Sequence, residues 1–453
     1  MLQFNNMETA DPITREIFAA ALRAADPAKA AWKQGRRIRS LYHDGGYSRL
    51  FVIGFGKAAV PMAQAMEETL GDIIEAGTII TKYGHADRHG LEKIRVCEAG
   101  HPVPDENGLK GTEEILRLVG AADAGTMVVA LISGGGSALF VSPLTGITLE
   151  EKRETTELLL TAGADIQELN AVRKHISRVK GGRLAELLYP ATTLSLILSD
   201  VIGDRLDVIA SGPTSPDYTT FSRALETLKK FGLMGHAPQT VVNLIKNGVK
   251  GLFPETPKVG EPIFCKIENI IIGNNSLAVN AAKCAAEARG IRADILSTEI
   301  SGEAGDAGKW LASKALAAKL HRRDMLPVCL ISGGETSVTV TGTGKGGRNM
   351  ELALVFALEI EGTSGITLLS AGTDGTDGPT NAAGAIVDGS TTVRARNKGI
   401  CPEEYLRNND SYTFFRKAGG LYATGPTGTN VMDMQIVVIR GCASNGSVGI
   451  LAK

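Results

Sequence analysis

Six polar side chains of this 453-residue chain stand in or beside glycine-rich turns: Lys57, Asp200, Glu335, Arg348, Asp374 and Asn430. Such residue types suit phosphoryl transfer, which asks a protein for positioning and charge stabilisation rather than covalent chemistry. In Gly54-Phe55-Gly56-Lys57-Ala58-Ala59 the lysine lies inside a turn that opens a helix, where a phosphate group needs a counter-charge. The same segment fits G-x-G-x-x-A, the dinucleotide fingerprint. The acidic residue that the fingerprint wants after the second strand is missing, because Ile79-Ile80 runs into Thr81-Lys82. A solvated lysine is the structural alternative. Gly342-Thr343-Gly344-Lys345-Gly346-Gly347-Arg348-Asn349 is the most polyanion-like segment, and it runs into a helix over Met350 to Leu358. Arg348 then falls at a helix start, where orphan N–H groups and the dipole favour anions. No G-K-[ST] is present, so this is not a Walker loop, and a surface hairpin is its alternative.

Carboxylates supply the other half of the chemistry. Ser370 to Asn381 sets Asp374 and Asp377 among glycines at a strand end, a pattern suited to magnesium, which takes one or two carboxylates with phosphate oxygens and waters. Glu335, Asp200 and Asp204 are further strand-end carboxylates, and Asp374 with Glu335 is the expected metal pair. An Asx turn is the alternative for Asp-Gly-Thr-Asp-Gly. Gly425 to Asp433 is one more glycine turn, in which Asn430 is a polar contact. The basic stretch Asn170 to Arg183 leaves two readings open: a solvated charged face, or Arg173 or Lys180 turned towards a substrate carboxylate. His101 and His175 have no partner spaced for metal or triad work and receive no catalytic role. Gly135-Gly136-Ser137-Ala138-Leu139 fails the nucleophile elbow at its last position, which argues against a serine hydrolase.

The elements that must position these groups alternate between strand and helix, which predicts an α/β fold with a parallel sheet. Val128 to Ile132 runs into Ser133-Gly134-Gly135-Gly136-Ser137, and Val328 to Ile331 into Ser332-Gly333-Gly334-Glu335-Thr336. An apolar run closed by glycine reads as a strand buried on both faces, and ligands of such sheets lie beyond the strand carboxyl ends. Ser133, Gly134, Gly135, Gly136 and Ser137, with Gly54, Gly56, Gly346 and Asn430, are the expected nucleotide contacts. A tight strand-to-helix turn is the lesser alternative for each SGG taken alone, and weaker still for the pair. The order strand, glycine turn, helix, strand, helix, SGG occurs in both halves, as a duplication would leave it, and suggests an anionic substrate held between two halves. A helix or helix pair is expected from Asp11 to Ser40. Glycines and prolines crowd Gly235 to Pro262, the best candidate for a boundary. The predicted division is a domain over 1–240, a linker over 241–262, a domain over 263–440 and a tail over 441–453.

Composition bounds the rest. The chain is too long for one ordinary core. Hydrophobic residues make up 43%, charged residues 21%, and the net charge is −1, which argues against nucleic-acid binding. Six scattered cysteines with no C-x-x-C pair read as buried thiols in a reducing compartment. Met1 to Thr14 shows no secretory signal and no window is apolar enough to span a membrane, so the cytoplasm is the expected location. A homo-oligomer is allowed.

Taken in order, GFGKAA, HPVPDENG, LISGGGSAL, NAVRKHISRVKGGRLA, LSDVIGD, IASGPTSPD, SGGETSV, GKGGRNMELAL, SAGTDGTDGPTNAAGA and GPTGTNVMD resemble the glycerate 2-kinase family. Its C-terminal part is the MOFRL domain, and its members were often mislabelled hydroxypyruvate reductases. The likeness runs from about Asp11 to Ile439. It implies transfer of the ATP γ-phosphoryl group, with Mg2+, to the 2-hydroxyl of D-glycerate, giving 2-phosphoglycerate. It also implies a Rossmann-like parallel-sheet first domain and a smaller α/β second domain, with the active site in the cleft. Its cleft residues fall on Lys57, Asp200, Glu335, Arg348, Asp374 and Asn430, with Lys57, Arg348 and Asp200 expected to be catalytic. An NAD(P)H-dependent hydroxypyruvate reductase is the alternative, resting on G-x-G-x-x-A, and a non-enzymatic sugar-phosphate sensor is a second.

Overall fold

The unbroken apolar runs become the centre of a six-stranded sheet in which every strand is parallel to its neighbours. In the computed structural model, which describes residues 12–86 and 90–441, the chain divides into two units. The first comprises Asp26–Asn274 and the second residues 12–25 with 275–441. Strands of the first unit are β1 (Arg49–Phe55), β2 (Ile74–Lys82), β3 (Ile94–Ala99), β4 (Thr126–Ile132), β5 (Thr192–Leu198) and β6 (Ile267–Gly273). Their order is β3-β2-β1-β4-β5-β6, so the winding reverses between β1 and β4. All seven residues of β4 and six of the seven in β1 are buried, as in a sheet covered on both faces. Phe55 pairs with Ile132, so the turns that follow β1 and β4 leave the sheet side by side at its switch point.

A second core within this unit joins the helices Leu149–Thr161, Ile166–His175, Phe221–Lys230 and Gln239–Val249 through Leu159, Val172, Phe221 and Ile245. The stretch expected to be a linker, 241–262, is therefore built into the first unit. Glu255 accepts from Phe221 N–H at 2.9 Å, Thr256 donates to Asp217 at 2.8 Å, and Asp217 N–H donates to Pro257 O at 2.9 Å. Its glycines and prolines shape corners and caps of a packed structure rather than a hinge.

The second unit contains β7 (Arg292–Ile300), β8 (Val328–Gly334), β9 (Ile366–Gly372), β10 (Gly384–Asp388), β11 (Leu421–Tyr422) and β12 (Asp433–Ile439). Their order is β11-β10-β9-β12-β8-β7. Only the β7–β8 pair is parallel; β12 runs antiparallel to both β8 and β9. This sheet is mixed where a parallel one was expected. Together with β6 lying in the first sheet, that removes the structural basis for a duplication of the sequence pattern. The helix Pro12–Ala24 belongs to the second unit, burying Ile17, Phe18 and Ala21, with Phe18 edge-on to Tyr422 at 5.7 Å and Glu16 paired to Arg289 at 2.7 Å. The expected first domain of 1–240 thus loses its first helix to the other unit and gains β6. The expected tail, apart from Gly441, lies outside the described residues, as does Cys442. The other five cysteines form no disulfide among the described residues; Cys329 alone among them is buried, while Cys265 and Cys284 are exposed. No helix among the described residues is long and apolar enough to cross a membrane.

Candidate functional site

In the first unit the turns after β1 and β4 are bonded to each other. Ser133 N–H donates to Phe55 O at 3.2 Å, Lys57 N–H to Gly134 O at 2.9 Å, and Ala58 N–H to Ser133 Oγ at 3.0 Å. Gly56 has φ 129°, and a Cβ there would stand 2.5 Å from the Ser133 carbonyl oxygen, so only glycine fits. Gly135 is left-handed at φ 82°; a Cβ there would lie 3.0 Å from the His101 ring and 3.3 Å from Lys57 Cγ. A Cβ on Gly134 would stand 2.7 Å from the Asp200 carboxyl carbon. One glycine turn thus has Lys57 and His101 against one residue and Asp200 against the next. Lys57 is half-buried, and among the described residues nothing hydrogen-bonds its ammonium.

Two of the expected contacts are structural. Gly54 lies within β1, where a Cβ would press Ile79 and Leu131 at 2.9–3.0 Å, and Gly136 is closed in by Phe55 and Ala210. Ser137 faces Ser211, Oγ to Oγ at 2.8 Å. Asp204 is occupied as the acceptor of the Asn274 side-chain amide.

His101 was given no role, yet it belongs to this cluster. Burial, reinforced by Lys57, Lys82 and His85, pushes its pKa down to about 4. The unfolded chain takes up this proton near the ordinary histidine value of about 6.5, well before the native state does. Stability contributed by the neutral ring is therefore present above that value and is lost as pH falls towards 4. His101→Asn should flatten the decline of Tm between those two pH values; an unchanged slope would place the effect elsewhere.

In the second unit Arg348 opens the helix Arg348–Glu359, as the sequence predicted. Its guanidinium is held on two sides. Nε and Nη2 donate to the two oxygens of Asp433 at 2.6 and 3.0 Å, and Nη1 donates to Glu335 at 2.6 Å. Asp433 is fully buried; burial raises its pKa while Arg348 opposes the shift. Coulombic attraction from Asp433 and Glu335 outweighs desolvation at Arg348 and holds its pKa above the ordinary arginine value. Asp433 escaped the sequence reading, although an acid at the first position of the apolar run Asp433–Ile439 was its signal. Asn275 braces the same strand, its amide donating to Val431 O and Asp433 O at 2.9 and 3.0 Å.

The two aspartates of Asp374-Gly-Thr-Asp377 separate in role. Asp377 is buried and accepts from Asn349 and Met350 N–H at 3.0 and 2.8 Å, satisfying the start of the Arg348 helix, so both its oxygens are engaged by the protein itself. Burial pushes its pKa up to about 7 against those bonds. Asp374 takes Thr376 N–H and hydroxyl on Oδ1, both at 2.9 Å. Its other oxygen makes no hydrogen bond among the described residues. Asn430 Oδ1 accepts from Met432 N–H at 3.2 Å, and the loop carrying it is tied to Thr373 by Val431 N–H at 2.8 Å. Among the described residues no group of three or more His, Cys, Asp or Glu is arranged to hold a metal.

The glycine-rich approach to Arg348 differs from expectation. Gly342 N–H goes to Asn409 Oδ1, Gly344 N–H to Asn408 O and Lys345 N–H to Asp410 Oδ1, each at 2.9 Å. These donors are used by the protein itself, and Lys345 lies over the Tyr412 ring at 5.1 Å. Gly346 is packed against Ser411, its neighbour across the loop. Its phosphate-cradle character is therefore reduced to Arg348.

These units define an α/β enzyme with a cationic glycine turn at the switch point of a parallel sheet. Two family models match the chain: a domain of unknown function, DUF4147, over residues 13–246, and the MOFRL family over residues 328–433. The D-glycerate 2-kinase of Thermotoga maritima is 47% identical over 392 residues, 86% of this chain and 91% of that protein. The glycerate 2-kinase of Pyrococcus horikoshii is 42% identical, with 93% and 96% covered. A relative from Agrobacterium vitis that carries a hydroxypyruvate reductase name is 40% identical, with 96% and 95% covered. The crystal structure of the Thermotoga maritima glycerate kinase matches with a TM-score of 0.84 at 45% identity, over 94% of this chain and 99% of that one. The chain belongs to the glycerate 2-kinase family of the MOFRL type.

Proposed function

We propose that this protein transfers the γ-phosphoryl group of ATP to the 2-hydroxyl of D-glycerate, releasing ADP and 2-phosphoglycerate. Family membership supports the reaction class, and the observation that carries the site is the Lys57 ammonium, without a hydrogen-bond partner among the described residues, beside the left-handed Gly135 turn. Lys57 binds phosphate oxygens and stabilises the charge that shifts in transfer. Asp200, against Gly134, accepts the proton of the attacking hydroxyl. The hydroxyl oxygen forms the new bond to phosphorus as the bond to the leaving ADP oxygen breaks. In the second unit Arg348 offers a cationic contact for phosphate once its Glu335 pair yields. Bound magnesium would neutralise phosphate charge, and the residues fit it: the open oxygen of Asp374 supplies one carboxylate, which suffices beside phosphates and waters. Glu335 is the second donor when released from Arg348. A cytoplasmic setting accords with this chemistry.

The strand order is also that of dinucleotide-binding sheets, which favours the reductase reading, but β2 ends in Lys82, where that reading needs an acid. The test is a coupled ADP-release assay with D-glycerate and ATP across a magnesium titration, with phosphorus NMR to identify the product. Wild type should yield 2-phosphoglycerate, and Asp374→Asn should demand more magnesium and turn over more slowly. Hydroxypyruvate-dependent oxidation of NADH or NADPH with no ATP-dependent product would replace this reading by the reductase.

A further inference from the structure

The basic stretch Asn170 to Arg183, which starts within the helix Ile166–His175, is largely buried, not a solvated face. It is laced to the turn after β4 and to the segment around Ser211. Arg178 N–H donates to Ser142 O at 2.9 Å, Gly181 N–H to Ser211 O at 3.0 Å and Gly182 N–H to Gly212 O at 2.7 Å. Lys180, wholly buried, donates to Phe140 O at 3.1 Å and Ala210 O at 3.4 Å. Lys152, also buried, donates to Arg173 O and Ile176 O at 3.3 and 3.2 Å. Ala210 and Ser211 hold left-handed backbone at φ 50° and 63°, a strained state for non-glycine residues that persists only where the surroundings fix it. There Ser211 Oγ donates to Asn170 Oδ1 at 3.0 Å and meets Ser137 of the glycine turn. Arg173 stands three residues beyond Asn170, on the same helix face.

Every other basic side chain from 174 to 183 has an acceptor. Lys174 has Asp217 at 3.0 Å, His175 has Glu255 at 2.9 Å, Arg178 has Glu113 at 2.9 Å, Lys180 has its two carbonyls and Arg183 has Pro254 O at 3.3 Å. Arg173 keeps part of its surface open, and among the described residues its guanidinium makes no hydrogen bond or ion pair. A partly desolvated guanidinium has five donors to satisfy, and its fork matches a carboxylate.

We propose that Arg173 recognises the substrate carboxylate, with the Asn170–Ser211–Ser137 chain fixing its helix to the glycine turn. This rests on the reading of the protein as a D-glycerate kinase. Burial, and then repulsion from Arg173, drives the Lys152 and Lys180 ammonium groups well down from the ordinary lysine range, with Lys152 adding to the repulsion at Lys180. Burial brings Arg173 only to about 10, so its charge persists at neutral pH. Among the described residues no carboxylate is paired with any of the three, and the two lysines meet only backbone carbonyls. One persistent positive charge matches a carboxylate monoanion, whereas Lys57 and the β1 and β4 turns offer the phosphate-type contact.

The experiment is steady-state kinetics of wild type, Arg173→Met and Arg173→Lys with D-glycerate, glyceramide and ATP, beside thermal-shift titrations with D-glycerate and inorganic phosphate. Arg173→Met should raise the KM for D-glycerate by roughly 10–100-fold, the loss expected for charge-assisted hydrogen bonds. The KM for ATP should not move, the preference for D-glycerate over glyceramide should collapse, and Arg173→Lys should fall between. A raised KM for ATP with an unmoved KM for D-glycerate overturns the proposal in favour of a phosphate contact, and no change in either assigns Arg173 no ligand. If D-glycerate stabilises wild type but no phosphoryl group is transferred, the kinase reading fails. The variant's titration then decides: loss of the D-glycerate shift supports the carboxylate site and its retention overturns it. A wild type indifferent to D-glycerate overturns both.

Discussion

Lys57→Ala should lower kcat for D-glycerate phosphorylation by roughly 10²–10³-fold, the usual cost of removing one donor that stabilises transition-state charge. The side chain is half-buried and its ammonium has no hydrogen-bond partner among the described residues, so its removal orphans none of them. Thermal stability should stay close to that of wild type. The backbone path is fixed separately, by Lys57 N–H on Gly134 O and by the glycine demanded at 56, and alanine satisfies both. Steady-state kinetics and a melting curve on the same preparation check this. A raised KM for ATP with unchanged kcat would make Lys57 a ground-state contact only.

Arg348→Ala should lose activity and, unlike the first variant, stability as well. Asp433 is fully buried and both its oxygens rest on the guanidinium. Removing one partner of a buried pair typically costs about 3–5 kcal/mol, because the remaining charge is uncompensated. The sign with pH follows from the direction of the Asp433 shift. Without Arg348 the main opposition to burial is lost and the Asn349 hydrogen bond alone still works against it, so the folded-state pKa stands further above the unfolded carboxylate value. The folded form then holds a proton that the unfolded form releases, and stability falls as pH rises above the ordinary aspartate range. Arg348→Ala should consequently unfold at lower urea concentration at neutral than at mildly acid pH. Adding Asp433→Asn should recover much of the stability without recovering turnover. Equal urea midpoints for wild type and Arg348→Ala would show that the ion cluster contributes nothing to the fold.

What the sequence displayed and what it concealed follow the range of the interactions. The β1 and β4 turns were legible because a strand covered on both faces must be apolar throughout, and the glycines needed at 56 and 135 mark where it ends. The helix at Arg348 was legible for the same local reason. Its anchor was not, since Asp433 lies 85 residues away and no periodicity records that pairing. An apolar stripe on Pro12–Ala24 shows that the helix is packed, but not against which unit. Glycine and proline density between 235 and 262 signalled corners, and corners occur in packed cores as well as in linkers. Asp374 and Asp377 have nearly the same local context, and only the helix start above Asp377 distinguishes them.

The position of β12 sets an order on synthesis. It is the last strand among the described residues, yet it lies between β8 and β9 and pairs with both along its whole length. Until residue 439 leaves the ribosome, those two strands present bare hydrogen-bonding edges, and the helix Pro12–Ala24, made first, has no finished sheet to dock against. Asp26–Asn274 is under no such delay, because all six of its strands are complete once Gly273 has emerged. A nascent chain of this protein therefore carries one unit able to fold early and another held open at both ends of its sequence. The open edges of β8 and β9 are what a chaperone would need to shield in the interval.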